Sequence, residues 1–281
     1  MQASTDALPR LKAPAGTVDT HIHVYDHKYP LAPTATMDPP DASAADYLKV
    51  RKRLGLDRTV VVQATVYGTD NRCTLEAVAQ MGDSARAVVV VDDSASDEEL
   101  ERLTKAGTRG LRFHMLAGGV LPWDLLERMS ARIHEHGWLT QLQFDGRQFP
   151  EREALIRKAR GTVIIDHIGK FLEPVPADHP SFKTLLRLLE QDNIYLRLAG
   201  AYEVSKTGAP TYGDVGVLAK AVIKAAPNKI VWASNWPYVG VPTDKKPDEV
   251  GMFDLLLDWA PDEAVRKKIL VETPARLYGF A

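Results

Sequence analysis

Short β-branched runs alternate with amphipathic stretches along the chain. Thr17–His23, Arg58–Thr65, Arg86–Asp92, Arg109–His114, Trp138–Gln143, Gly161–His167, Asn193–Leu198 and Lys229–Asn235 predict eight strands. Between them, apolar residues recur at helical spacing over Ser43–Leu54, Arg72–Met81, Ser96–Ala106, Pro122–His136, Pro150–Ala159, Pro180–Gln191, Asp214–Ala226 and Asp248–Trp259. A short pair, Pro261–Leu270 and Thr273–Tyr278, closes the chain. Ser96 before Asp97, Glu98 and Glu99 is a capped acidic first turn, and Gly107 and Gly137 stand just past helix ends.

Eight strands alternating with eight helices describe an α/β chain folded as a single (β/α)8 barrel over residues 1–281, close to the roughly 250 residues typical of that fold. A doubly wound open sheet is the alternative, but no Gly-rich phosphate turn follows the first strand. Val24–Pro40, with four prolines, and Tyr202–Tyr212 are the long loops, expected as lids on the catalytic face.

Composition narrows the function. A net charge of −2 argues against a nucleic-acid footprint. Cys73 is the only cysteine, which fits a reducing, cytoplasmic location. Residues 1–16 do not resemble a secretory leader, and no apolar run is long enough to span a membrane.

A barrel places chemistry at the C-terminal ends of its strands. Those ends carry His21 and His23, Gln63 with Tyr67 beyond it, Arg112 and His114, Gln141 and Gln143, His167 and Lys170, Arg197, and Asn235. Period-two alternation would put Asp19, His21 and His23 on one side and turn Asp166 toward the helices, away from His167. His134 and His136 suit a helix C-terminus, His27 lies in the first lid, and Trp232 and Trp236 read as packing around Asn235.

Asp19-Thr-His-Ile-His23, Asp166-His-Ile-Gly169, Trp232-Ala-Ser-Asn-Trp-Pro237 and Glu272-Thr-Pro-Ala-Arg-Leu-Tyr-Gly279 together resemble the amidohydrolase superfamily. Gln63–Asn71 and Gly107–Phe113 resemble its 2-pyrone-4,6-dicarboxylate lactonase branch. That branch works without metal, and the resemblance implies that His21, His23 and His167 polarise a lactone carbonyl. Binuclear members carry a bridging lysine on strand 4. Arg112 stands in that region here, and a guanidinium does not lose its proton, so a two-metal site is not expected; the resemblance to the metal-free branch implies no metal and no other cofactor.

The superfamily also carries a water-activating aspartate where this chain has Asn235. Either a hydrolase has been silenced by substitution, or the reaction needs no activated water; the second reading is preferred. The expected substrate is then a small sugar-diacid lactone, an aldarolactone. Arg112 and Lys170 hold its carboxylate, Gln143 and Gln63 contact it, and Tyr67 either contacts it or packs in the lid. A hydroxyl of the substrate attacks its own carbonyl, moving a 1,5-lactone to a 1,4-lactone. A carboxylate placed at 235 is expected to stay ionised beside the histidines and to raise hydrolysis. The alternatives are a metal-independent lactonase, a mononuclear metal hydrolase on His21, His23 and His167, and a silent barrel that binds sugar acids.

Overall fold

A computed structural model describes residues 7–281; residues 1–6, which open both the stretch tested for a leader and the predicted single-domain span, lie outside it. The eight predicted strands form as β1 (Val18–Ile22), β2 (Arg58–Val62), β3 (Ala85–Val89), β4 (Thr108–His114), β5 (Leu139–Gln143), β6 (Val163–Ile165), β7 (Ile194–Leu198) and β8 (Ile230–Trp232). They pair in parallel, in chain order, in one sheet. The two edges meet just beyond β8. The Asn235 amide donates to the His21 carbonyl at 3.0 Å, and the His23 amide donates to the Trp236 carbonyl at 2.9 Å. The result is the expected (β/α)8 barrel.

The outer layer is α1 (Ala44–Leu54), α2 (Arg72–Met81), α3 (Asp97–Lys105), α4 (Leu125–His134), α5 (Phe149–Lys158), α6 (Pro180–Leu189), α7 (Ala201–Val204), α8 (Gly213–Ala225), α9 (Glu249–Trp259), α10 (Glu263–Lys267) and α11 (Thr273–Tyr278). Ser43 and Ser96 cap α1 and α3 by accepting from backbone amides of the first turn. Gly107 and Gly137 take the positive φ expected past a helix end. The Tyr202–Tyr212 stretch, expected as loop, begins inside the single turn of α7. One turn is too short to show a helical period.

Two apolar layers follow from the alternation. Val18, Val60, Val62, Val88, Leu139, Ile164, Tyr195 and Val231 fill the barrel from inside, and Tyr278 and Phe280 close its lower end. Their neighbours Val61, Ala87, Val89, Val163, Ile165, Ile230 and Trp232 pack outward against the helices. Above the inner layer the barrel turns polar. Arg197 of β7 is fully buried there. Its Nε donates to Thr20 Oγ1 at 3.0 Å, one Nη to Tyr278 Oη at 2.6 Å, and the other Nη to His21 Nδ1 at 3.0 Å and to the Asp166 carboxylate. The last helix is thereby bonded to the floor of the mouth.

Removing the Tyr278 hydroxyl strands one buried guanidinium donor. Tyr278→Phe is expected to cost about 1–3 kcal/mol, read as a lower denaturation midpoint at unchanged slope. A midpoint equal to wild type would remove this tie from the account.

Candidate active site

Two local irregularities build the mouth. The register slips between Asp19 and Ile22, so both Thr20 and His21 face Arg197. Asp19, expected beside the histidines, turns outward instead. It accepts from the Tyr47 hydroxyl of α1 at 3.0 Å and the Ser234 amide at 3.0 Å. Burial raises its carboxyl to about 6.

The second irregularity follows β6. His167, Ile168, Gly169 and Lys170 all have positive φ, which for the β-branched Ile168 is rare. Asp166, expected against the helices, is inside the barrel, where its parity with the inward Ile164 places it. The left-handed turn then brings His167 inward as well.

His21, His23, His167, Asn235, Arg112, Gln143 and Lys170 converge, all buried. His21 Nε2 lies 3.0 Å from His23 Nε2, and the His21 and His167 rings are 5.2 Å apart at their centres. The partners determine the tautomers. His23 Nδ1 lies 2.8 Å from the Val62 carbonyl, which only accepts, so the proton is on Nδ1 and Nε2 carries a lone pair. His21 Nδ1 faces Arg197 and, at 3.2 Å, the Gln141 amide nitrogen, both donors. Its proton is therefore on Nε2, aimed at His23 and the mouth. Burial, and then neighbouring positive charge, lowers His21 and His167 well below the ordinary imidazole range and His23 to about 3, so all three are neutral.

This donor set does not fit a metal ion. His21, Asp166 and His167 offer ligand atoms within 4.8 Å of one another. But a cation among them would sit against the Arg197 guanidinium. For His21 to offer Nε2 to a metal, its proton would have to move to Nδ1, pointing at donors.

The other expected site residues divide. Arg112 donates to the Gln63 carbonyl at 2.7 Å and to Gln143 Oε1 at 3.2 Å, and its Nε is buried without a partner. Among the described residues it has no carboxylate in contact. Lys170 does: its ammonium pairs with Glu203 of α7, so it is not a free anchor for a substrate carboxylate as expected. Gln63 is not presented to the mouth. Val60 and Val62 point inward, so Gln63 points to α2, where its amide bonds Thr74 and the carbonyls of Gly68 and Asp70. The Tyr67 hydroxyl is taken up by the Asp26 backbone, which makes it lid packing. His27 is exposed and pairs with Asp38 and Asp41.

Glu203 was not expected at all. Asn235 Nδ2 donates to Glu203 Oε1 at 3.1 Å and to the Tyr202 hydroxyl at 2.8 Å, while Asn235 Oδ1 and His167 Nδ1 are buried with no partner. Acid-containing helical turns are common on surfaces, and nothing in the sequence marks Glu203 as turning inward.

The family model described as Amidohydrolase matches residues 18–280. The chain is 37% identical over 276 residues to D-galactarolactone isomerase of Agrobacterium fabrum, covering 97% of this chain and 94% of that one. It is 34% identical over 282 residues to a 2-pyrone-4,6-dicarboxylate hydrolase of Comamonas testosteroni, covering 96% and 92%. An apo crystal structure of an Agrobacterium tumefaciens protein superposes with a TM-score of 0.93 at 36% identity, covering 98% of this chain and 97% of that one. With the family model matching nearly the whole length, the chain belongs to the amidohydrolase family of enzymes.

Proposed function

We propose that the chain isomerises an aldarolactone, carrying a galactaro-1,5-lactone to its 1,4-lactone by intramolecular acyl transfer without a metal. The observation that carries this reading is Asn235. It occupies the mouth beside β8 with an amide that cannot take a proton from water, and its Oδ1 is left open to accept from a substrate hydroxyl. Similarity to D-galactarolactone isomerase supports it.

In this account the lactone carbonyl oxygen accepts from the Nε2–H of neutral His21, taking the place of His23, with the His167 ring 5.2 Å from that of His21. That donor meets the charge growing on the carbonyl oxygen as the tetrahedral centre forms. A substrate hydroxyl held close to its own carbonyl has an effective molarity of roughly 10⁵ to 10⁸ M, enough to outrun unactivated water. The free carboxylate lies on Arg112, a buried cation that contacts no carboxylate among the described residues.

The hydrolase reading draws on the similarity to a hydrolase. A proton NMR time course on galactaro-1,5-lactone separates the two. The 1,4-lactone as first product supports the isomerase, and open-chain diacid as first product supports the hydrolase.

Three outcomes are expected. Arg112→Met lowers kcat/KM about tenfold or more, the worth of a charged hydrogen bond of about 1.5–3 kcal/mol; an unchanged value in a folded variant removes Arg112 from binding. Exhaustive chelation leaves turnover intact, whereas loss restored by Zn²⁺ or Mn²⁺ would return the mononuclear metal reading. Asn235→Asp, expected from the sequence to raise hydrolysis, is now expected not to. The histidines beside it are neutral, and Glu203 lies 3.1 Å from the substituted atom. Two carboxyls at that distance share a proton. The ratio of open acid to 1,4-lactone in the variant therefore stays at the wild-type value; a tenfold rise would show that residue 235 alone suppresses attack by water.

A further inference from the structure

The isomerase reading leaves one need unmet. The attacking hydroxyl must lose a proton and the departing ring oxygen must gain one, yet neutral His21 is a donor held by Arg197 and Asn235 is no base. Beside Asn235 lies a pair of groups that the family motifs do not include.

Lys170 is nearly buried, its side chain 9% exposed, and its ammonium contacts Glu203 Oε2. Glu203 Oε1 accepts from Asn235 Nδ2. The carboxylate and His167 face one another across Gly200. A Cβ built on Gly200 would stand 3.1 Å from Glu203 Oε2 and 3.2 Å from His167 Nδ1. A side chain there would fill the space between base and imidazole, and Gly200 also holds the left-handed φ of +65°. Asn235 Oδ1 and His167 Nδ1 are both buried with no partner among the described residues. Unsatisfied buried acceptors and donors are costly unless a ligand meets them.

We propose that Lys170 and Glu203 are the proton shuttle of the acyl transfer. This rests on the isomerase reading. Glu203 takes the proton of the attacking hydroxyl as its oxygen bonds to the carbonyl carbon. The carbonyl π pair moves onto oxygen, where His21 Nε2–H donates to it. The tetrahedral centre then collapses: the carbonyl re-forms, the bond to the old ring oxygen breaks, and that oxygen takes a proton from Lys170. Neutral glutamic acid and neutral lysine are left in contact, and one proton passing from Glu203 to Lys170 restores both. No proton is gained or lost overall, as an isomerisation requires. Burial lowers the Lys170 ammonium from its ordinary range, which eases the gift of its proton to the departing oxygen. The pair also accounts for an amide at 235: a second carboxylate there would compete with Glu203 for the shuttled proton.

Lys170→Arg tests this directly. Arginine keeps the charge and the ion pair but does not give up a proton. The expected result is a fall in kcat of about 10²-fold or more, with KM within about threefold of wild type and an unchanged melting temperature. A kcat within about threefold of wild type would overturn the shuttle and leave the pair as a structural clamp. If Lys170→Arg does not fold, Glu203→Gln against Glu203→Asp decides. A low kcat for Gln with partial recovery for Asp supports the shuttle, and equal rates for the two overturn it. Rates are followed as loss of galactaro-1,5-lactone by NMR, and the same spectra identify the product. Open-chain acid from the wild type would contradict the isomerase reading, whereas the variant rates judge the shuttle whichever product forms.

Discussion

The Arg197 guanidinium lies wholly buried at the floor of the mouth, with hydrogen bonds to Thr20, His21, Asp166 and Tyr278. It is permanently charged and donates only. Asp166 balances its charge, and that balance permits a guanidinium in an apolar barrel at all. Because it donates to His21 Nδ1, it forces the His21 proton onto Nε2, and because Val62 accepts from His23 Nδ1, His23 faces His21 with a lone pair. The His-x-His pair is thereby left with one N–H, that of His21 Nε2, directed at His23 and the mouth. Removing one member of such a buried pair costs roughly 3–5 kcal/mol, so the floor constrains the fold and the chemistry together.

The left-handed turn after β6 is the second constraint. It holds His167 and Lys170, three residues apart, in the same mouth, which the alternation of an extended strand would not do at that odd spacing. Each non-glycine residue in that region costs about 1–3 kcal/mol, and such strain collects where function needs it. The contacts of Asp166 with buried Arg197 and of Lys170 with Glu203 tie the two ends of the turn in place. The site that results is neutral at its histidines, cationic at Arg112, and supplied with one carboxylate in contact with Lys170.

Most of the fold was legible because alternation and helical period are local. All eight strands lie where the β-branched runs placed them, with C-terminal ends shortened by two or three residues at β2, β3, β6 and β8. The residues misplaced were those where alternation breaks. The slip in β1 turned Asp19 away from His21, and the turn after β6 brought His167 inward, while Asp166 kept its alternation beside the inward Ile164. Gln63 was misplaced for the opposite reason: alternation held, and the inward Val60 and Val62 already assigned it to the helix layer. Glu203 was out of reach of any pattern. Its position depends on a single helical turn and on an ion pair across 33 residues of chain.

The central claim is that the substrate's own hydroxyl, and not water, attacks the carbonyl. Turnover of galactaro-1,5-lactone in oxygen-18-enriched water tests it most directly, with mass analysis of the 1,4-lactone at early times. Internal attack leaves the product lactone with no heavy oxygen. Heavy oxygen in the product, in the lactone or in the carboxylate of an open acid formed at the same rate, would mean that water attacks first, and the account would fail.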